Sequence, residues 1–155
     1  MLKNSFDLSS LVNMNQQLNR FLQAQDSCYD QALAEIRAGK KSSHWIWYIF
    51  PQLKGLGHSY NSSFYGISGK AEAAAYLNHP VLSARLREIS EALLSVEGVG
   101  IRTIMSGIDS LKLCSSMTLF DTVCPNDIFA EILQKYFDGK RDHRTLHILE
   151  DGSDL

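Results

Sequence analysis

Apolar side chains recur along most of the chain at alternating steps of four and three, the spacing of one buried helical face. Val81–Glu97 is the clearest case. Leu82, Leu86, Ile89, Leu93 and Val96 form one stripe there, Arg87 and Glu91 sit four apart on the opposite side, and Pro80 suits the first helical position. Asp127–Tyr136 repeats the pattern with Phe129, Ile132, Leu133 and Tyr136, and Gly139 reads as its stop. Cys28–Ala38 places Tyr29, Ala32, Leu33 and Ile36 on one face, with Ser27 as N-cap and Gly39 as stop. Ser68 is placed to cap Lys70–Leu77, with Glu72 set for the return half of a capping box. Leu18–Gln25, Ser110–Val123 and Arg144–Leu149 read as further helices.

Two stretches resist this pattern, His44–Phe50 and the residues around Phe64–Ile67. Trp45-Ile46-Trp47-Tyr48-Ile49-Phe50 is a run of β-favouring side chains. A lone strand would leave its backbone unpaired, and no second strand pattern stands out. A short buried helix, capped by Ser42 or Ser43 and ended by Pro51, is therefore favoured. The expectation is an all-α, irregular single-domain bundle of about seven to nine helices, spanning residues 16–150 between an N-terminal extension (1–15) and a C-terminal tail (151–155).

Composition narrows the class. A chain of 155 residues with 45% hydrophobic and 21% charged residues can bury a core without staples, and is neither disordered nor fibrous. No apolar run reaches the roughly 20 residues of a membrane span, so no membrane partner is expected. The three cysteines, Cys28, Cys114 and Cys124, form no CxxC pair and read as free, packed thiols. With no secretory-type apolar stretch at Met1–Asp7, a cytoplasmic location is expected. A formal net charge of −2 disfavours nucleic acid as a partner.

That small total hides an uneven distribution. Between Glu35 and Glu72 there is no acid, while Arg37, Lys40, Lys41, Lys54 and Lys70 supply five bases; after Phe120, eight acids face four bases. The acid-free stretch also holds both tryptophans, two histidines and closely spaced glycines, a mixture suited to a phosphate or a nucleotide base. Backbone amides near Ser43–Trp45 would favour an anion if a helix starts at His44, and Gly55 and Gly57 permit close backbone approach. Trp45, Trp47 or Tyr65 would provide an apolar or stacking wall, and Lys41, Ser43 and Gln52 polar contacts. His44 or His58 is the candidate proton-transfer group. A second cluster lies on the helix Ser110–Val123, where Asp109, Lys112 and Ser116 share a face and Ser115 adjoins it. Lys112, Ser115 and Ser116 could line the same cavity. The plainer reading makes the tryptophans core and the lysines solvated decoration.

Familiar signatures are missing. Gly66-Ile67-Ser68-Gly69-Lys70-Ala71 lacks the spacing and final hydroxyl of a phosphate-cradling loop. Gly55-Leu56-Gly57 lacks the third glycine and the preceding strand of a dinucleotide turn. His143 and His147 lack the glutamate of a zinc-protease helix, and Ser115 and Ser116 lack a nucleophile elbow. No metal site and no cofactor are expected.

The string Ser43-His44-Trp45-Ile46-Trp47-Tyr48-Ile49-Phe50-Pro51-Gln52-Leu53-Lys54-Gly55-Leu56-Gly57 closely resembles the signature of a widespread bacterial family, domain of unknown function number 1810. The likeness extends to Arg20-Phe21 with Ala24-Gln25, to Ala75–Leu82 with Arg85-Leu86, and to Asp109, Lys112 and Ser115–Phe120. It ends near Asp142 with Thr145-Leu146. The resemblance implies a compact, mostly helical domain and a helical Trp45–Phe50. It names no activity, and the calpastatin-like label that some members carry does not suit a globular composition. The functional expectation is therefore a small-molecule pocket protein, possible as an enzyme, for an anionic, nucleotide-like or phosphorylated ligand. The alternative is a non-catalytic protein–protein interaction module.

Overall fold

A computed structural model describes residues 2–151, with side chains from Val12 onward. Within them the chain forms α1 (Leu2–Asp26), α2 (Tyr29–Arg37), α3 (Ile46–Ile49), α4 (Tyr60–Phe64), α5 (Lys70–Asn78), α6 (Pro80–Ser95), α7 (Ile101–Ile104), α8 (Gly107–Val123), α9 (Ile128–Phe137) and α10 (His143–Glu150). The all-α expectation holds. The count exceeds the expected range through α4 and α7, single turns too short to show a periodic stripe. The expected extension 1–15 falls, apart from Met1, within the unbroken α1. The expected tail lies, apart from Asp151, outside the described residues.

Local chemistry accounts for most helix ends. Pro80 opens α6, and His79 Nδ1 accepts from the amides of Val81 and Leu82, both at 3.2 Å. Asp127 caps α9, which ends on left-handed Asp138 (φ 55°) followed by Gly139 (φ 77°). Two caps differ from expectation. Ser27 gives its hydroxyl back to the Ala24 carbonyl in the turn out of α1, so α2 starts after Cys28 with no side-chain cap. At α5 the glutamate half of the capping box forms, Glu72 Oε1 accepting from Ser68 N at 2.8 Å, while Gly69 occupies the N-cap position.

α8 is the hub, packing against α3, α5, α7, α9 and α10. Its residues Ser115–Asp121 are all buried, so this later part of the helix is enclosed on every side. Aromatic rings carry the core across four helices. Phe21 meets Tyr76 edge-on at 5.2 Å, Tyr76 meets Phe120 at 5.4 Å, and Phe120 meets Phe129 at 5.6 Å. α3 is only one turn long, with Trp45 at its N-cap, so neither Ser42 nor Ser43 caps it. The stretch around Phe64–Ile67 supplies an isolated parallel bridge, with Lys54 N donating to Ile67 O at 2.8 Å and Ile67 N to Gln52 O at 2.9 Å.

Candidate functional site

No helix starts at His44, since α3 begins at Ile46, and the backbone amides of Ser42 and Ser43 face an anion that the chain itself supplies, Glu35. From the buried side of α2, Glu35 Oε1 accepts from Ser42 N (2.8 Å), Ser43 N (3.0 Å) and the Trp45 indole N–H (2.9 Å). Oε2 accepts from the Ser43 hydroxyl (2.6 Å) and the Gln31 amide (3.0 Å). Burial alone would raise the carboxyl pKa. The Ser43 hydroxyl, the two amides and the Trp45 indole outweigh it and hold the pKa down to about 2.

Lys41 is likewise paired internally. Its ammonium lies 2.7 Å from Asp109 Oδ2 on α8, donates to the Ser43 carbonyl, and sits 4.8 Å from the centre of the Trp45 ring. The two clusters singled out in the sequence thus meet in space through Lys41 and Asp109, as an ion pair closing the loop onto α8. Trp45 is a core residue. Trp47 is half-buried, and its indole N–H, like the buried Ser116 hydroxyl, has no partner among the described residues. The Ser115 hydroxyl donates back to the Leu111 carbonyl. Lys112 is half-buried, Gln52 is buried, and His44 and His58 are exposed. Gly55 adopts φ 97°, and a side chain on Gly57 would meet the Ser62 hydroxyl at 2.5 Å. Tyr65 is half-buried between Phe21, Tyr48 and Phe64.

A cleft of about 570 Å³ opens between α1 and residues 54–68, the later part of the acid-free stretch. Asn13, Met14, Gln17 and Arg20 form one wall, and Lys54, Ser63, Phe64, Gly66, Ser68 and Glu72 the other. Arg20 builds it. Its Nε donates to the Phe64 carbonyl at 2.7 Å and Nη2 to the Gly66 carbonyl at 2.9 Å, while Nη1 and Nη2 together hold both oxygens of Glu72. Nη1 also donates to the Gln17 carbonyl, so the guanidinium has a partner for every N–H. Gly66 allows the close approach of the bridge: a Cβ there would lie 2.7 Å from Lys54 Cα. Lys54 is exposed on the rim with no acid partner among the described residues. The Arg20–Glu72 pair cancels, so the lining keeps one uncompensated positive charge.

The family model for proteins of unknown function designated DUF1810 matches residues 15–149. The chain belongs to the DUF1810 family. A solved structure, that of a conserved hypothetical protein, Rv1873, from Mycobacterium tuberculosis, is similar to it at 46% identity. The likeness covers 86% of this chain and 96% of that one, with a TM-score of 0.84. No curated protein matches. The DUF1810 match takes in the Glu35–Lys41–Asp109 cluster and all of the cleft lining except Asn13 and Met14.

Neither Glu35 nor the cleft stands out in the sequence as a site: Lys54 reads there only as one of five bases, Ser68 and Glu72 only as capping residues, and Asn13, Gln17, Arg20, Ser63 and Phe64 carry no signature. A signal existed for the acids. Glu35 lies three residues after Ala32, and Glu72 four before Tyr76, so each carboxylate sits on an apolar helical face where it must find donors. Asn13, Gln17 and Arg20 repeat at steps of four and three, but as a polar stripe that hydrophobic periodicity does not detect.

Proposed function

We propose that this DUF1810 protein binds a small anionic, phosphorylated ligand in the cleft between α1 and residues 54–68. The observation that carries the reading is Lys54, an exposed ammonium beside a neutralised Arg20–Glu72 pair. Around it, the Ser63 and Ser68 hydroxyls and the Asn13 and Gln17 amides give the cleft hydrogen-bonding groups of the kind a phosphate or sugar uses. Its volume lies within the roughly 300–1,000 Å³ of small-molecule sites. Lys41, Ser43 and Trp45 take no part in it, their polar groups being satisfied by Glu35 and Asp109.

Thermal denaturation with inorganic phosphate, sugar phosphates, nucleotides and ADP-ribose-type compounds tests this. A ligand at a hundredfold excess over its Kd stabilises by about 2.7 kcal/mol. For a domain of this size that is a Tm rise of about 5–10 °C. The rise is expected in the wild type and lost in Lys54→Ala. An equal rise in both proteins places the ligand elsewhere. No rise with any phosphorylated compound overturns the reading and favours the alternative, a protein–protein interaction module. One observation supports that alternative: Ile108 and Leu111, one turn apart on α8, are each 69% exposed.

A further inference from the structure

The cleft ends in an aromatic surface that a bare phosphate would not use. Phe64 lines the cleft yet is 44% exposed, and Tyr60, one turn earlier on α4, is 75% exposed. Their rings lie nearly parallel, 11° apart with centroids 5.6 Å from each other, an offset stack on an exposed surface. Tyr65 meets Phe64 at 4.8 Å and 87°, bracing it from the protein side. The backbone beneath is fixed as well, since the Phe64 carbonyl accepts from Arg20 Nε. An aromatic ring packed by two others, on a backbone held by the half-buried Arg20, gives up little conformational freedom on binding a planar partner.

Phe64 and Lys54 belong to one lining, so a planar ring and an anion can be held at once. We infer that the ligand of this cleft is a nucleoside monophosphate, its base stacked on Phe64, its phosphate on Lys54 and its ribose hydroxyls facing the serine and amide side chains between them. This rests on the phosphorylated-ligand reading above and adds the base. Stacking on an exposed ring tolerates any base, so preference among the four bases is expected to be weak.

Isothermal titration of the full chain with inorganic phosphate, ribose 5-phosphate, adenosine and each of the four nucleoside 5′-monophosphates tests the inference. Nucleoside monophosphates are expected to bind about 5- to 150-fold tighter than ribose 5-phosphate, the range that stacking of one base provides. Phe64→Ala should remove that advantage and leave ribose 5-phosphate affinity unchanged, and Lys54→Ala should weaken both phosphorylated classes but not adenosine. Phe64→Leu, which keeps apolar bulk but no ring, separates stacking from packing by losing the same advantage. Circular dichroism of each variant verifies the fold. Affinities for nucleoside monophosphates and ribose 5-phosphate within twofold of each other overturn the inference and leave the phosphate site standing. So does an equal loss of both in Phe64→Ala, which would make the ring a structural prop. Binding of none of these compounds fails the underlying reading as well.

Discussion

Glu35 shows how one carboxylate can organise a loop. Five donors converge on it, from Gln31, Ser42, Ser43 and Trp45, and they hold its pKa near 2 against an ordinary 4.5. Between those values the unfolded chain binds the extra proton, so the contribution is complete above about pH 5 and is lost as pH falls toward 2. At about 1.4 kcal/mol per pKa unit the whole contribution is about 3 kcal/mol, of which about 2 is already lost at pH 3. Urea unfolding of wild type and Glu35→Gln at pH 6 and pH 3 tests this. The variant is expected to be less stable at pH 6 and to lose about 2 kcal/mol less than wild type on acidification. Equal losses in the two proteins would show that Glu35 is not the group responsible.

Among the elements, the loop between α2 and α3 is held from two sides. Glu35 gathers its amides, and Lys41 ties it to the first turn of α8 through Asp109, with the Lys41 amide donating to the Ile104 carbonyl at 2.7 Å. Removing one partner leaves the other charge poorly compensated, which costs more than removing both. Lys41→Met, Asp109→Asn and the double variant should therefore show a coupling of about 1–2 kcal/mol in a double-mutant cycle. A coupling near zero would make the pair incidental. The elements differ in how far the sequence foretold them. α2, α6 and α9 each bury a stripe, and periodicity reads them to within a few residues, while α5 is announced by its capping residues Ser68 and Glu72. α3 shrinks to one turn because Glu35 draws the Ser42 and Ser43 amides outward before the helix can start, an effect of tertiary structure that no local propensity contains. α4, capped by the Ser59 hydroxyl, and α7 are single turns too short to carry a periodic signal.

At the scale of the whole molecule, the acid-free stretch was legible as a chemical anomaly, but its partners were not. Its flanking acids, Glu35 and Glu72, fold back to hold it, the first through the Ser42–Trp45 loop and the second through Arg20 and Ser68. Asp109 reaches Lys41 from more than 60 positions along the chain. Composition therefore located the region that borders the cleft, while the folded chain neutralises Lys41 and leaves Lys54 on the rim. The position of the ligand site is open to amide chemical-shift mapping of the isotope-labelled chain titrated with ribose 5-phosphate. The prediction is that saturable shifts cluster at Gln17, Lys54, Ser63, Gly66 and Ser68, with Lys112, Ser115 and Ser116 unmoved. Shifts concentrated instead at Lys41–Trp47 and Lys112–Ser116 would contradict it.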